Sequence, residues 1–324
     1  MKEKAVLFPC DREFLTLAEY IEFDRYEISG LCVLEDSNVI EDEAENIPVF
    51  DIADIDYGLF DDIILIDDAY RSHAFIEDSI RHGKKVIDVA EIQKIGNDKF
   101  NDISEEQTIN VPVVFVAGIT HYTEKFHVQL VLRKHLLDYG YKVSQIGSKQ
   151  YSELFGFHSF PSFMIEPMDN TERILLFRKY VKYIEQEEQP DIVVIGIPGG
   201  IMAVNKKHHF DFGMTAYMVS QAVEPDYTIM SMLYGKNYTK DQLEEINQTC
   251  RYKFNFEINS FHLSNALLDP ASLKHENLTF IKMGNKKYFN KVERLYDFLN
   301  PEDMDKAFEG MITELTSYNV NQIF

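Results

Sequence analysis

The chain has 324 residues, 45% hydrophobic and 27% charged, with a formal net charge of −22. That length allows two ordinary domains with their own cores, and the composition is that of a folded chain rather than a disordered one. The acidity argues against nucleic acid and anionic membranes as partners, because phosphate-rich surfaces are captured by basic residues; it fits solubility, or a basic peptide or protein partner.

No apolar run approaches the ~18 residues needed to cross a bilayer, and the N-terminal segment has too short an apolar core for a signal peptide. A cytoplasmic protein is expected. Cys10, Cys32 and Cys250 are widely spaced with no CxxC pair. That suits reduced thiols and gives neither a disulfide framework nor a zinc site.

The first hundred residues alternate strands and helices. Buried strands are expected at 4–9, 27–34, 62–66 and 85–89, and helices at 13–23 and 72–82. An acidic loop covers 35–46, ahead of a short strand at 47–50. Alternation of this kind implies parallel strands with helical crossovers, a Rossmann-like sheet. Its first turn, Phe8-Pro9-Cys10-Asp11-Arg12, has no glycine. The backbone there cannot approach a pyrophosphate in the manner of a dinucleotide fingerprint.

Residues 96–110 are polar and lack periodicity, so one domain is expected over 1–105 and a second over 111–324. The second opens with a β-branched strand at 113–117, an amphipathic helix at 124–139 closed by Gly140, and a strand at 142–146. A helix at 174–185, a strand at 191–197, a helix at 214–223 and a strand at 227–233 continue the alternation. Strands at 254–263 and 278–283 and helices at 288–299 and 302–317 complete it. The expected fold class is two wound parallel-sheet α/β domains, the second a degenerate relative of the P-loop nucleotide hydrolases.

That last expectation rests on residues 114–126, where a strand, a loop and a helix opening on Lys125 follow one another. In a working P-loop, glycines let backbone amides wrap the phosphates, the lysine reaches the outer phosphates, and a following Ser or Thr binds magnesium. The helix N-terminus adds partial positive charge. Three departures stand out: the span from Gly118 to Lys125 is one residue longer than the consensus, the second glycine is missing, and Phe126 replaces the hydroxyl.

On the strand at 191–197 many nucleotide hydrolases carry Asp, two residues, then Gly. Here Gly196 takes the Asp position and Gly199 the Gly position. Both magnesium-holding residues are absent, which disfavours an ordinary ATPase or GTPase. What remains is a candidate anion cradle for ATP or another phosphate ligand: Gly118, Thr120, His121, Thr123 and Lys125, with Gly196, Gly199 and Gly200. Glu124 suits the helix dipole of an empty loop but would repel a phosphate. An inherited turn that no longer binds anything is the competing reading.

Several segments resemble the clostridial-type peptide maturation system proteins. They are Phe126-His127-Val128-Gln129-Leu130, residues 142–148, residues 153–161, residues 196–202 and Ser220-Gln221-Ala222-Val223, with Phe8-Pro9-Cys10-Asp11-Arg12-Glu13-Phe14 near the start. The resemblance spans most of the chain. It implies an accessory role in maturing ribosomal peptide natural products beside radical-SAM maturases, with a precursor peptide or maturase as partner. It transfers no catalytic residue.

Further polar residues should gather at the carboxyl ends of the second sheet: His121, Lys125, His127, Ser148, Glu153, His158, Ser159, Asn205, His208, His209 and Asp211. A metal held by His121, His158, His208 and Asp211 is the weaker reading of these, because no HExxH or tight ligand spacing occurs. Phe155, Phe157 and Phe160 suit either a lid or core packing. The pairs Asp61-Asp62 and Asp67-Asp68 suit either magnesium or solvated strand ends. No Ser-His-Asp, Cys-His or G-x-S-x-G arrangement is present.

Three functional readings remain open: an accessory protein binding a phosphate-bearing ligand or precursor peptide, an ATP-dependent ligase or transferase acting on a peptide, and a scaffold with a vestigial loop. A homo-oligomer fits any of them.

Overall fold

The computed structural model describes residues 2–34, 43–44, 46–92, 95–104, 106–283 and 292–321. The chain divides into two compact units, residues 1–96 with 149–159, and residues 97–148 with 160–324.

The first unit contains β1 (Lys4–Phe8), a one-turn helix α1 (Arg12–Leu15), β2 (Glu27–Val33), β3 (Glu43–Ala44), β4 (Ile47–Asp51), β5 (Asp62–Leu65), α2 (Ala74–Arg81) and β6 (Lys85–Asp88). The strands form one sheet in the order β3-β4-β2-β1-β5-β6, parallel throughout except for the two-residue β3. Val6, Phe8, Ile63, Leu65, Phe75 and Ile76 build its core. Each large apolar side chain so buried contributes about 1.5–3 kcal/mol.

The helix expected at 13–23 is much shorter. The Asp11 carboxylate accepts from the Phe14 N–H at 2.7 Å to start it, and a 3-10 turn at Ala18–Tyr20 follows its end. The Thr16 hydroxyl donates to the Glu13 carbonyl at 2.7 Å, one of the local bonds by which Thr competes with helix continuation. Asp11 thus takes a backbone amide in the turn after β1.

Most of the expected acidic loop (35–42 and 45) lies outside the described residues. The aspartate pairs do not form one site. Asp61 and Asp62 lie at the start of β5, where Asp61 accepts from the Lys4 N–H, whereas Asp67 and Asp68 follow its end, where Asp67 caps Ala69 and Asp68 pairs with Arg71.

The second unit holds β7 (Val113–Gly118), α3 (Lys125–Asp138), β8 (Val143–Ile146), α4 (Asn170–Glu188), β9 (Ile192–Gly196), α5 (Met214–Ala222), β10 (Tyr227–Met232), α6 (Lys240–Phe254), β11 (Ser260–Leu263), the hairpin β12 (Ala266–Leu268) and β13 (Phe280–Lys282), β14 (Leu295–Tyr296) and α7 (Pro301–Asn321). Six strands form a fully parallel sheet, β14-β11-β10-β7-β9-β8.

One face of this sheet, from Val114, Val116, Val194 and Ile229, packs with Val128, Leu132 and Leu136 of α3 and Met304, Phe308 and Met311 of α7. Right-handed crossovers assign α4, α5 and α6 to the other face, where α5 contacts both its neighbours. Phe155, Phe157 and Phe160 are all buried, as core aromatics are.

Two expectations fail here. The helix sought at 288–299 does not exist over its described part, where β14 instead pairs with Phe261 and His262 of β11; residues 288–291 lie outside the described residues. The strand sought at 254–263 is confined to β11, because Phe254 ends α6.

Candidate functional site

The chain leaves β7 toward β8 on one side and later reaches β10 on the other, so the carboxyl end of β7 is the sheet's switch point, where wound α/β folds bind ligands. The loop 119–124 connects this end to α3. It is fastened from both sides. The Ile119 N–H donates to the Ser231 carbonyl of β10 at 2.8 Å, while the Ile201 and Met202 N–H groups, after β9, donate to the Gly118 and Ile119 carbonyls at 3.1 and 3.2 Å.

Inside the loop Thr123 is fully buried, and its hydroxyl approaches the Thr120 carbonyl at 3.4 Å. A side chain at Gly118 would collide with Thr123 Oγ1 and stand 2.9 Å from the Thr120 carbonyl oxygen. The same imaginary Cβ would lie 3.2 Å from Cδ of Lys125, so the lysine is folded back over Gly118. Lys125 is the first residue of α3 and is buried.

The missing second glycine has a conformational counterpart. Glu124, immediately before Lys125, is left-handed at φ 58° and ψ 12°, a backbone state glycine adopts without cost. Its carboxylate accepts from the Asn265 N–H at 2.9 Å and stands 3.6 Å from Nε2 of the fully buried His262. His262 Nδ1 accepts from the Phe298 N–H at 3.1 Å, which leaves the proton on Nε2, facing Glu124. The charge expected to repel a phosphate is thus engaged by β11 and the loop behind it.

At the magnesium positions the residues do not fit the metal. Phe126 is buried apolar surface, and Gly196 cannot be replaced by a carboxylate without displacing Gln129: a Cβ there would overlap the carboxamide, with Nε2 at 2.6 Å. That carboxamide donates to the Lys125 carbonyl and to Ser148 Oγ, both at 2.9 Å, and accepts from the Ser148 N–H at 3.1 Å. A neutral amide clamp therefore fills the place of the metal-binding aspartate.

Around the loop, Gly200 lies so close that its Cβ would stand 2.6 Å from Thr120 Cα, and the corresponding position on Gly199 lies 3.9 Å from the His121 ring. His121 also packs edge-on against Phe210 at 4.6 Å, and Tyr122 lies 4.9 Å from Phe280. The eight cradle residues named from the sequence therefore belong to one local assembly. Gln129, Ser231 and His262 were missed. The hydroxyls of Thr120 and Ser231 are buried with no hydrogen-bond partner among the described residues.

The metal candidates do not assemble. His158 belongs to the first unit, where it stands 3.9 Å from Glu153, while His121, His208 and Asp211 belong to the second. No group of three or more His, Cys, Asp or Glu side chains has metal-binding geometry among the described residues. Phe210, Asp211 and Phe212 are all left-handed, at φ 47°, 54° and 52°, with the Phe212 carbonyl held by Lys253 and the His209 ring stacked on Phe212 at 4.6 Å. Asn205 accepts from the Lys207 and His208 N–H groups. Glu153, His158 and Ser159, expected beside the second sheet, lie in the segment 149–159 of the first unit.

The fold and this loop define a protein of two parallel-sheet α/β units, the second with a P-loop-like strand-loop-helix at the head of α3. No family model and no curated protein matches the sequence. Among solved structures, the chain is similar to a DUF1611 family protein from Anabaena variabilis, with 11% identity, a TM-score of 0.52, and coverage of 85% of this chain and 91% of that one.

It also aligns with the signal recognition particle receptor FtsY from Elizabethkingia anophelis at 12% identity and a TM-score of 0.32, over 52% of this chain and 54% of that one. A nucleotide-binding protein from Archaeoglobus fulgidus, in complex with ADP, aligns at 11% identity and a TM-score of 0.35, over 67% and 92%. At 11% identity the first likeness is one of fold. None of the three is named for peptide maturation. Among the described residues no helix is long and apolar enough to cross a membrane.

Proposed function

We propose that the second unit binds a phosphate-bearing ligand, ATP or a smaller phosphate, at the 118–125 loop without a divalent metal. The observation that carries this reading is Lys125 folded over Gly118, in a loop whose residue 124 holds the left-handed backbone of the absent glycine. The helix N-terminus adds favourable field, and Glu124 is drawn toward His262 and Asn265. Phosphoryl transfer by a ligase or transferase is the weaker alternative, because Gln129 and Phe126 occupy the positions that would neutralise developing charge.

The role assigned to such binding, as an accessory in ribosomal peptide maturation with a precursor peptide or maturase as partner, is supported by the sequence resemblance alone. A scaffold with an empty loop is the second reading, favoured by the amide that seals Gly196.

Thermal unfolding with and without ATP, GTP or phosphate separates these. A ligand at 100 times its dissociation constant stabilises by about 2.7 kcal/mol. Loss of that gain in Lys125→Ala supports the cradle. No shift with any anion, together with co-purification of a maturase or precursor, supports the scaffold.

A further inference from the structure

At the opposite end of the same sheet, where β7 and β10 begin, a cavity of about 480 Å³ opens between residues 106–113, α4, the end of α5 and the end of α6. β7 has six residues, so this cavity lies roughly 17 Å from the Gly118 loop along the strand. Its size is that of a small-molecule site. It is also preformed, since its outer wall is fastened by specific bonds. The Asn110 N–H donates to Glu185 at 2.7 Å, Gln186 bonds Gln107 at 3.1 Å, and the Val113 N–H donates to Asp226 at 2.8 Å. Glu185 is itself buried and paired with Lys182.

The charges around this space are unequal. Glu106, Glu224 and Asp226 line it against one cation, Arg178. The Arg178 guanidinium is directed at the last turn of α5, with Nε donating to the Ala222 carbonyl and Nη2 to the Gln221 carbonyl, both at 2.9 Å. It thereby answers the negative end of that helix. Val111 and Val223 supply an apolar floor. An acidic rim over an aliphatic floor matches a cationic head on a short hydrocarbon stem.

We propose that this cavity binds an aliphatic amine or guanidine, either as a small molecule or as the side chain of a peptide. The site is separate from the phosphate cradle and does not depend on it.

Calorimetric titration of the full chain with 1,5-diaminopentane, agmatine and an end-blocked Gly-Lys-Gly peptide tests this. The expected result is saturable binding of at least one probe, weakened roughly tenfold or more in the Glu106→Gln, Glu224→Gln double variant and unchanged in Lys125→Ala. Binding of the peptide but not the diamine would assign the ligand as a peptide side chain, and the reverse as a free amine.

Thr108→Trp, at an exposed position lining the cavity, leaves the net charge alone and fills the space. It should also abolish binding. The proposal is overturned if no probe saturates, or if binding survives both the double variant and Thr108→Trp, as diffuse attraction to an acidic protein would.

Discussion

Restoring an aspartate at residue 196 should damage the protein rather than restore a metal site. In Gly196→Asp the new Cβ meets the Gln129 carboxamide, which must leave. Three side-chain hydrogen bonds are then lost, to the Lys125 carbonyl, Ser148 Oγ and the Ser148 N–H. At about 1 kcal/mol net for each bond, plus the cost of leaving the Ser148 N–H and Lys125 carbonyl unsatisfied, the loss is about 3–6 kcal/mol.

Because whole domains are stable by only about 5–15 kcal/mol, a loss of that size should be plain in a urea titration followed by circular dichroism. Adding Gln129→Ala makes room. The double variant should then be less destabilised than the sum of the single ones, by about 1–3 kcal/mol of coupling. A Gly196→Asp protein within about 1 kcal/mol of wild type, or strict additivity with Gln129→Ala, would refute the amide clamp.

Burial pushes the Tyr227 hydroxyl and the Cys250 thiol up to about 12, from 10.0 and 9.0. Their neutral forms therefore stabilise the folded state; this contribution is complete below about pH 9 and is lost as pH rises from 9 to 12, about 3 kcal/mol for Tyr227, seen as a falling urea midpoint. All three thiols are buried with raised pKa values, so a thiol reagent at pH 8 should label none rapidly in the native chain and three in urea.

Gln189, left-handed at the end of α4, should gain roughly 0.5–1 kcal/mol on replacement by Gly, measured as a rise in the same midpoint. Glu124→Gln keeps an acceptor for the Asn265 N–H but removes the charge, and should tighten pyrophosphate binding by about 1 kcal/mol, roughly fivefold, in calorimetry.

The central strands β7 and β9 were legible because each is an apolar run rich in β-branched residues. In Val113-Val114-Phe115-Val116 and Ile192-Val193-Val194-Ile195, the short length and the β-branched enrichment favour a buried strand over a helix. Helix α6 went unseen because its buried stripe is Leu243, Asn247, Cys250 and Phe254, three of the four not aliphatic. Its Thr239–Gln242 capping box was present in the letters and could have revealed it.

The helix at 288–299 was misjudged because local apolar spacing says nothing of the partner that draws Leu295 and Tyr296 into a sheet. The cradle residues followed from motif spacing. The left-handed state of Glu124, the Gln129 amide above Gly196 and the pairing of Glu124 with His262 across 138 positions are tertiary facts, without a local signature. His158 of the histidine metal set lies in the segment 149–159, which folds with the first unit, a topology the sequence does not announce.

The most direct test is a calorimetric titration with pyrophosphate in the presence of a chelator, run on the native chain and on Lys125→Met. Saturable, chelator-insensitive binding that weakens at least about tenfold in the variant is the expected outcome. Absence of binding, or binding that appears only when magnesium is added, would contradict a metal-free anion cradle at the head of α3.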